Sequence, residues 1–548
     1  MTIWLDVTTL LGWNRPPVGI VRTELELARY VRTIANKLRL DMCVYNSEVD
    51  EFRRLSVAQE KKIDAFLSGE LFLPSEQPYL SDVFTKIDCV TYVPEAALFR
   101  FFFGSFGRLR YSVDPIENDC LRGWICDAAK PRCRFDLEIR ANGKHIYTTR
   151  SDRFRIDLKN ANIVDGSCAF EIPIMELLEP LHSANVENVE LVIGGRKPVV
   201  IARIGLNKSL LHEHSERRKK LSDGERVVLE SNDVYLTAGL DWDNKNFKKI
   251  YTHKTKYGFA VAGFCYDLIP VKYPQWCMAD VASFFSNYFV DLSWCADHLF
   301  CISERSQIDY VDFATRAGCR IPKTSTIRLG SNFASEQSVN VSQNIPIKEE
   351  VQKVLGTDYI LYVSTIERRK NHEVLYRAYT RLIDRGIINL PNLVLVGMPG
   401  WGTTELLSDI ANDPRTKGLI AILNHVNDSE LSSLYANAKF TVFPSLYEGW
   451  GLPVAESLAH GKFCLCSDQG SLVEIAGDLL EYIDPWNVQE WADRILILIQ
   501  NPTILAEREK EILEKFQSDS WFDCVSKIFK TIEPNKFLKI SDRAASLP

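Results

Sequence analysis

Between Tyr359 and Gly477 short apolar runs alternate with amphipathic stretches, and few folds accommodate that alternation. Runs at Tyr359-Val363, Leu393-Gly397, Leu419-Leu423, Phe440-Phe443 and Phe463-Cys466 read as buried strands, and helices are predicted at about 371–385, 403–411, 428–437, 452–460 and 471–476. Strands that are apolar throughout are covered on both faces, so the pattern predicts a parallel sheet flanked by helices. Ser471-Leu472-Val473-Glu474 has the spacing of a capping box at the start of the last of these helices.

The most informative link in that series is Pro444-Ser445-Leu446-Tyr447-Glu448-Gly449-Trp450-Gly451-Leu452-Pro453-Val454-Ala455-Glu456. A strand ending at Phe443 puts Glu448 at the sheet's carboxyl edge, where open α/β sheets bind ligands. Pro453 suits the first turn of a helix, which Gly461 stops, and Glu456 lies one turn inside it. The amides of Gly449, Trp450, Gly451 and Leu452 then lie at a helix N-terminus, with two glycines allowing close approach. Such an elbow suits anions and hydroxyls, the chemistry of a sugar joined to a diphosphate.

The N-terminus repeats the theme. Ile3-Trp4-Leu5-Asp6-Val7 reads as a strand and Leu11 to Gly19 as a loop. Val21, Leu25, Ala28, Val31, Ala35 and Leu38 mark an amphipathic helix, and Leu40 to Tyr45 a second strand. Gly19 therefore faces the ligand edge of a first doubly wound unit, although a single glycine fits a plain helix start equally well. A charged helical segment follows at about Ala58 to Leu67.

From about Gly107 to Arg203 the pattern becomes short alternating stretches, such as 135–139, 154–158, 170–172 and 189–193, divided by the turn signals Asn142-Gly143, Asp165-Gly166 and Gly194-Gly195. This predicts an inserted β-sandwich. The aromatic, basic approach from Phe99 to Arg108 fits a seam packed against the host better than a surface dipping into a membrane or binding glycan.

After a polar linker around His212 to Arg226, strands resume at 234–237 and 259–264, the second ending in Cys265-Tyr266-Asp267-Leu268-Ile269-Pro270. Asp267 becomes a candidate site residue on that edge. An aromatic helix is predicted from about Ala279, then a strand at 297–303 whose Ser303 caps the next helix. Residues 332–348 read as an interdomain linker. The expected organisation is a Rossmann-like domain in two parts (1–105 and 206–335), the β insert (106–205), a second Rossmann-like domain (336–525) and a tail (526–548), with the two ligand edges facing one cleft.

Composition excludes rather than identifies. A formal charge of −7 over 548 residues gives no general attraction to nucleic acid or anionic lipid. No apolar run reaches the ~20 residues that span a bilayer, and no secretory leader pattern opens the chain, so a cytoplasmic protein is expected. The fourteen cysteines are scattered without paired CxxC spacing, which favours free thiols over a zinc site.

The first strand of the second domain leads into Ser364-Thr365-Ile366-Glu367-Arg368-Arg369-Lys370-Asn371, with Asn371 as a plausible helix cap. Arg369 can bind a diphosphate through a bidentate fork and Lys370 as a point charge. A basic triplet alone usually marks a solvated helix start. The Glu448 elbow on the same edge changes that balance.

These blocks, with Leu393 to Trp401, Leu434-Tyr435, the spacing from Glu448 to Glu456, and Ser471 to Gly477, resemble the second domain of retaining GT-B glycosyltransferases of family 4. The likeness is greatest to bacterial O-antigen and capsule enzymes of mannosyltransferase type. It covers roughly 350–490 well and the first domain more loosely, through 17–22, 239–242 and 266–270. The resemblance implies a GT-B fold and transfer of a hexose, mannose-type favoured, from a nucleotide sugar such as GDP-mannose or a UDP-sugar to a surface polysaccharide or lipid-linked glycan. It implies retention at the anomeric carbon, no metal and no other cofactor. Glu448 and the amides of Gly449, Trp450 and Gly451 would hold the donor sugar, beside Leu452, and Glu456 the ribose. Arg369 and Lys370 would hold the diphosphate, near Ser364, with Gly19 closing over it and Asp267 opposite. The base would be read around Val426. Two positions depart from the family pattern: Tyr266 stands where many relatives have histidine, and Val363-Ser364 where some have Gly-Arg. Nucleic acid is not an expected partner, peripheral contact with the inner face of a membrane stays open, and nothing fixes an oligomeric state. The competing class is a non-catalytic glycan-binding or assembly protein that uses the β insert on a GT-B scaffold. A GT-B phosphorylase would need greater length and a cofactor lysine framework, and neither is evident.

Overall fold

The computed structural model describes residues 2–532 except 14–18, 35–38, 48, 69–83, 90–108, 115–119, 128–129, 131, 154, 156–157, 160–162, 164–165, 174–176, 178–179, 182–185, 195–197, 209–223, 278–280 and 332–346. Phe99 to Arg108, most of the 154–158 stretch, and nearly all of the two polar linkers lie outside the described residues. The chain forms two compact units, Met1–Leu73 with Gly224–Pro548, and Pro74–Asp223.

The first unit holds two Rossmann-like sheets. One runs, edge to edge, Arg226–Val227, Glu51–Arg54, Leu40–Asn46, Ile3–Asp6, Val234–Leu236, Ala260–Cys265, His298–Cys301 and Lys323–Thr326. All its neighbours are parallel except at Glu51–Arg54, which pairs antiparallel on both sides. The other runs Ile420–Leu423, Asn392–Val396, Tyr359–Val363, Phe440–Phe443, Cys464–Ser467 and Glu481–Ile483, parallel throughout. In chain order the second sheet reads 3-2-1-4-5-6. The strand order therefore reverses between Tyr359–Val363 and Phe440–Phe443, the point at which such sheets open a ligand crevice. The five apolar runs each form a strand to within a residue. This is the GT-B fold class expected from the sequence.

Helices follow their predicted places in the second domain, including Leu452–Ala459 with Pro453 in its first turn. Two caps differ. Asn371 precedes helix His372–Asp384 with φ +56°, but its amide donates to Pro444 O and Pro485 O at 3.2 and 2.8 Å rather than capping. Ser471 makes no cap bond either; its hydroxyl lies 3.1 Å from Glu448 O and 2.9 Å from Trp450 O. Ser303 does cap helix Glu304–Arg316, accepting from Ser306 N at 2.9 Å. A short helix, Thr8–Gly12, occupies the start of the segment read as a loop.

Beyond Glu481–Ile483 come three helices, and the last, Trp521–Thr531, returns to the first domain. Its Phe529 stacks on Tyr30 of helix Ile20–Ile34 at 5.1 Å. Trp521 lies so close to Gly330 that any Cβ there would fall 2.5 Å from its ring.

The second unit contains a five-stranded antiparallel sheet (Phe84–Cys89, Val199–Leu206, Asn188–Ile193, Asp136–Ala141, Lys144–Arg150) and a three-stranded one (Leu109–Val113, Cys120–Asp127, Ala169–Pro173). Leu121, Ile125, Phe170 and Ile172 of the smaller sheet share one core with Leu137, Ile139, Leu191 and Ile204 of the larger. Asn142 and Gly143, both at positive φ, form the two-residue hairpin their pairing predicts. Among the described residues no helix is long and apolar enough to cross a membrane.

Candidate active site

The two loops at the switch point of the second sheet are joined by hydrogen bonds. Leu446 N donates to Arg369 O at 2.8 Å and Arg369 Nη1 to Tyr447 O at 2.7 Å. These bonds place the 3-10 turn Arg368–Lys370 beside the elbow. Glu448, 6% exposed, then receives both cations: Lys370 Nζ donates to Oε1 at 2.5 Å and Arg369 Nη1 lies 2.9 Å from Oε2. Ser445 Oγ adds a bond to Oε1 at 2.6 Å. Arg369 also bridges to the buried Glu367, whose Oε1 accepts at 2.9 Å.

The electrostatics follow from burial and these pairs. Burial alone would raise the Glu448 pKa, but Arg369 and Lys370 outweigh it and hold the carboxyl at about 2. Burial opposes the charge on Arg369, yet Glu448 and Glu367 raise its pKa further above the usual value. Lys370 is lowered, first by burial and then by Arg369 beside it. Glu367 and Asp267 are both raised by burial, with Arg369 pulling each back. His372, pushed to about 3 by burial and by Lys370, is a neutral imidazole 3.3 Å from Ser364 Oγ. The site thus sets two clustered cations against acidic groups.

The elbow is shaped by glycines at which a side chain would clash or be strained. Gly451, at φ +113°, precedes helix Leu452–Ala459. A Cβ on Gly449 would stand 2.5 Å from Tyr266 O and 2.8 Å from Asp267 Cβ. The facing domain therefore meets the elbow at that glycine. Ser306 Oγ holds the junction, bonded to Tyr266 O at 2.9 Å and within 3.2 Å of Gly449 O. Among the described residues no protein acceptor is matched to the amides of Gly449, Trp450, Gly451 or Leu452. The indole Nε1 of the buried Trp450 has no partner either.

The structure accordingly brings Glu448, Arg369, Lys370, Gly449 and Asp267 together. Glu456 lies further along the helix, bonded through Oε2 to Tyr435 OH at 3.1 Å. Burial raises it to about 7, while Arg22 of the first domain pulls it down. Arg22 stands three residues after Gly19, which has φ +53°, and also reaches Asp428 at 3.5 Å. Ser364 is bonded to His372, and Val426 packs against the core beneath its loop. Tyr266 turns away from the cleft: its hydroxyl donates to Ala238 O inside the first domain, so no phenol replaces the missing imidazole.

Three groups had cross-domain contacts that the sequence reading did not foresee. Tyr447 donates its hydroxyl to Asp309 Oδ2 at 2.5 Å and accepts from Lys272 Nζ at 2.9 Å, both across the cleft. Glu474 accepts from the amides of Glu304 and Arg305, each at 2.8 Å, capping a helix of the facing domain. Arg22 is the third. Tyr447 stood next to Glu448 in sequence, but nothing in the spacing pointed to partners more than a hundred residues away.

Residues 344–516 match the family described as glycosyl transferases group 1. Among curated proteins, the chain is 32% identical over 194 residues to the O-antigen chain mannosyltransferase B of Escherichia coli, covering 35% of this chain and 49% of that one. It is 28% identical over 229 residues to the serotype-specific mannosyltransferase WbdA of Escherichia coli, covering 41% and 27%. To the O-antigen chain mannosyltransferase RfbU of Salmonella typhimurium it is 28% identical over 175 residues, covering 32% and 48%. The chain thus spans about half the length of the first and third relatives and about a quarter of the second.

Proposed function

We propose that this protein is a retaining glycosyltransferase that moves a hexose, mannose-type, from a nucleotide diphosphate sugar to a growing surface polysaccharide or lipid-linked glycan without a metal ion. The observation that carries the reading is the paired clasp of Arg369 and Lys370 on Glu448 at the strand-order switch, beside four unmatched amides. The family match over 344–516 and the mannosyltransferase relatives support it.

In this reading the diphosphate takes over the charge of Arg369 and Lys370, which stabilise the leaving group as the glycosidic bond breaks. Glu448 and the amides of Gly449, Trp450 and Gly451 hold the sugar hydroxyls, with Leu452 opening the helix whose dipole favours the phosphates. Glu456 accepts from the ribose, the loop at Val426 meets the base, Ser364 lies beside the phosphates, and Gly19 approaches them from the first domain. Asp267 faces the sugar from across the cleft. In a front-face reaction the leaving phosphate oxygen takes the acceptor's proton, so no separate base is needed.

Lys370→Ala and Glu448→Ala should each lower donor turnover about 10²- to 10³-fold at saturating substrate, as loss of one preorganised charge partner does. Unchanged turnover in either variant would remove the site assignment. A thermal-shift series with GDP, UDP and their sugars identifies the donor, because ligands of the native state raise its melting temperature.

A further inference from the structure

Beside the site, both domains present aromatic rings at the mouth of the cleft. The segment that begins with Asp267 runs through helix Ile269–Lys272 into the turn Pro274–Trp276, where Tyr273 and Trp276 stack at 4.4 Å and 25°. From the facing domain, the loop after strand Asn392–Val396 brings up Trp401, whose Nε1 donates to Trp276 O at 2.9 Å. This loop lies against the cationic segment. A Cβ on Gly400 would be 3.0 Å from Ile366 O and 3.3 Å from Glu367 Cβ, and one on Gly402 3.7 Å from Arg368 Cβ. Cys277, next to Trp276, has a thiol that burial raises and that Arg369 pulls down, which places it within the field of the site.

The Trp401 side chain spends its N–H on the bond to Trp276 and remains 42% exposed, with Met398 of the same loop 39% exposed. An interdomain clasp alone requires only the N–H. The exposed ring of Trp401 and the half-buried rings of Tyr273 and Trp276 form a short apolar strip beside the cationic segment, and such strips mark ligand grooves. A pyranose suits it, since one face of the ring is a patch of C–H groups and the hydroxyls point outward to water. A flat amphipathic ring system is the usual protein partner for such a surface.

We propose that Trp401 and Trp276, with Tyr273 beside them, form an acceptor subsite on which a hexopyranose unit of the receiving glycan stacks. The proposal rests on the glycosyl-transfer reading for the identity of its ligand. Because the strip has one wall in each domain, the acceptor binds fully only when the cleft is closed.

The test is titration calorimetry of the full chain with α-mannotriose and maltotriose as glycan probes, and with GDP and UDP as nucleotide probes. Trp401→Ala should weaken α-mannotriose binding roughly tenfold, as loss of a stacked aromatic anchor does, while Trp401→Phe, which keeps a ring, stays within about threefold. Nucleotide affinity should match the wild type in both variants, and any small shift in melting temperature from the lost N–H bond to Trp276 O should be the same in both. Equal glycan affinity in wild type and Trp401→Ala, a wild type that binds neither oligosaccharide, or a loss that falls on the nucleotides instead would each overturn the subsite. Failure of GDP and UDP to bind would remove the donor reading, while the glycan titration would still decide the subsite.

Discussion

Each Rossmann-like sheet carries a cluster of carboxylates and cations at its ligand edge, and the two clusters are built differently. In the first domain Lys245, fully buried, lies 2.9 Å from Asp6 and 2.6 Å from Asp241. Asp6 also accepts from Thr8 N, Tyr45 N and Tyr235 OH at 2.9, 3.0 and 2.8 Å. Glu24, also fully buried, takes the amide of Leu10 at 2.8 Å. Gly239 covers it so closely that a Cβ would stand 2.0 Å from Glu24 Oε2. In the second domain Arg369 and Lys370 keep 16% and 15% of their side chains exposed, and their carboxylate stands beside unmatched amides. One cation among three sealed acidic groups braces loops of its own domain. In the proposed reading, two cations with access to the cleft exchange their partner for a ligand. Residue types alone do not separate brace from site; access and the balance of charge do.

Breaking the brace should produce the largest effect. Lys245→Met leaves Asp6 and Asp241 buried without their cation, and such a loss costs about 3–5 kcal/mol. Urea denaturation should show a correspondingly lower midpoint. An unchanged midpoint would mean that the cluster does not hold the domain together. The equivalent change at Lys370 should spare stability more than turnover, and that contrast is what separates the two clusters.

Glu24 extends the same comparison to pH. Burial raises its pKa to about 8 in the fold, against Lys245, which lowers it. A carboxyl raised in the folded state contributes stability that is complete below its unfolded value of about 4.5 and is lost as pH rises through the folded value. Stability should therefore decline between about pH 5 and pH 8 by an amount on the order of a few kcal/mol, and Glu24→Gln should flatten the decline. Melting curves across that range decide it, and an equal slope in the variant would assign the loss to other groups.

What the sequence revealed and what it hid divide along contact distance. Strand positions, the elbow, Pro453 in a first turn and the Ser303 cap depend on neighbours within a few residues, and all are present. The gathering of Arg369 and Lys370 around Glu448 followed from parallel strands sharing an edge. Ser471 and Glu474 had the spacing of a capping box, but their bonds go to Glu448, Trp450 and the amides of Glu304 and Arg305 instead. Local pattern cannot weigh a local cap against a distant partner that satisfies the same oxygen. Tyr447 shows the same limit: its value lies in Asp309 and Lys272 of the other domain, and no periodicity encodes that pairing.

The junction at Gly449 can be tested by filling it. Gly449→Ala would put a methyl against the backbone oxygen of Tyr266, which cannot rotate away as a flexible side chain would. The domains must part slightly, and misplacement of about an ångström costs on the order of a hundredfold in rate. Turnover should fall to about that extent, with small-angle scattering reporting a more open first unit and the nucleotide still bound. Full activity would show that the reacting geometry does not need the closed cleft.

The smallest effect belongs to Glu456, and it sets two acidic groups of the second domain's edge against each other in ligand binding. Its carboxyl is held at about 7, raised by burial and pulled back by Arg22, whereas Glu448 is held at about 2 by two cations. In the proposed role of acceptor for ribose hydroxyls Glu456 works only when ionised, so nucleotide affinity should rise with pH by up to about tenfold between pH 6 and pH 8, following its titration. The sign is opposite to that for stability, where a raised carboxyl favours low pH. Glu448 is already ionised throughout that range and contributes no slope. Calorimetric titration of GDP and UDP at several pH values should therefore give a rise that Glu456→Gln abolishes and that Arg22→Gln shifts to higher pH, since losing the guanidinium leaves burial unopposed. A slope that survives Glu456→Gln would belong to another group and would leave Glu456 outside the nucleotide site.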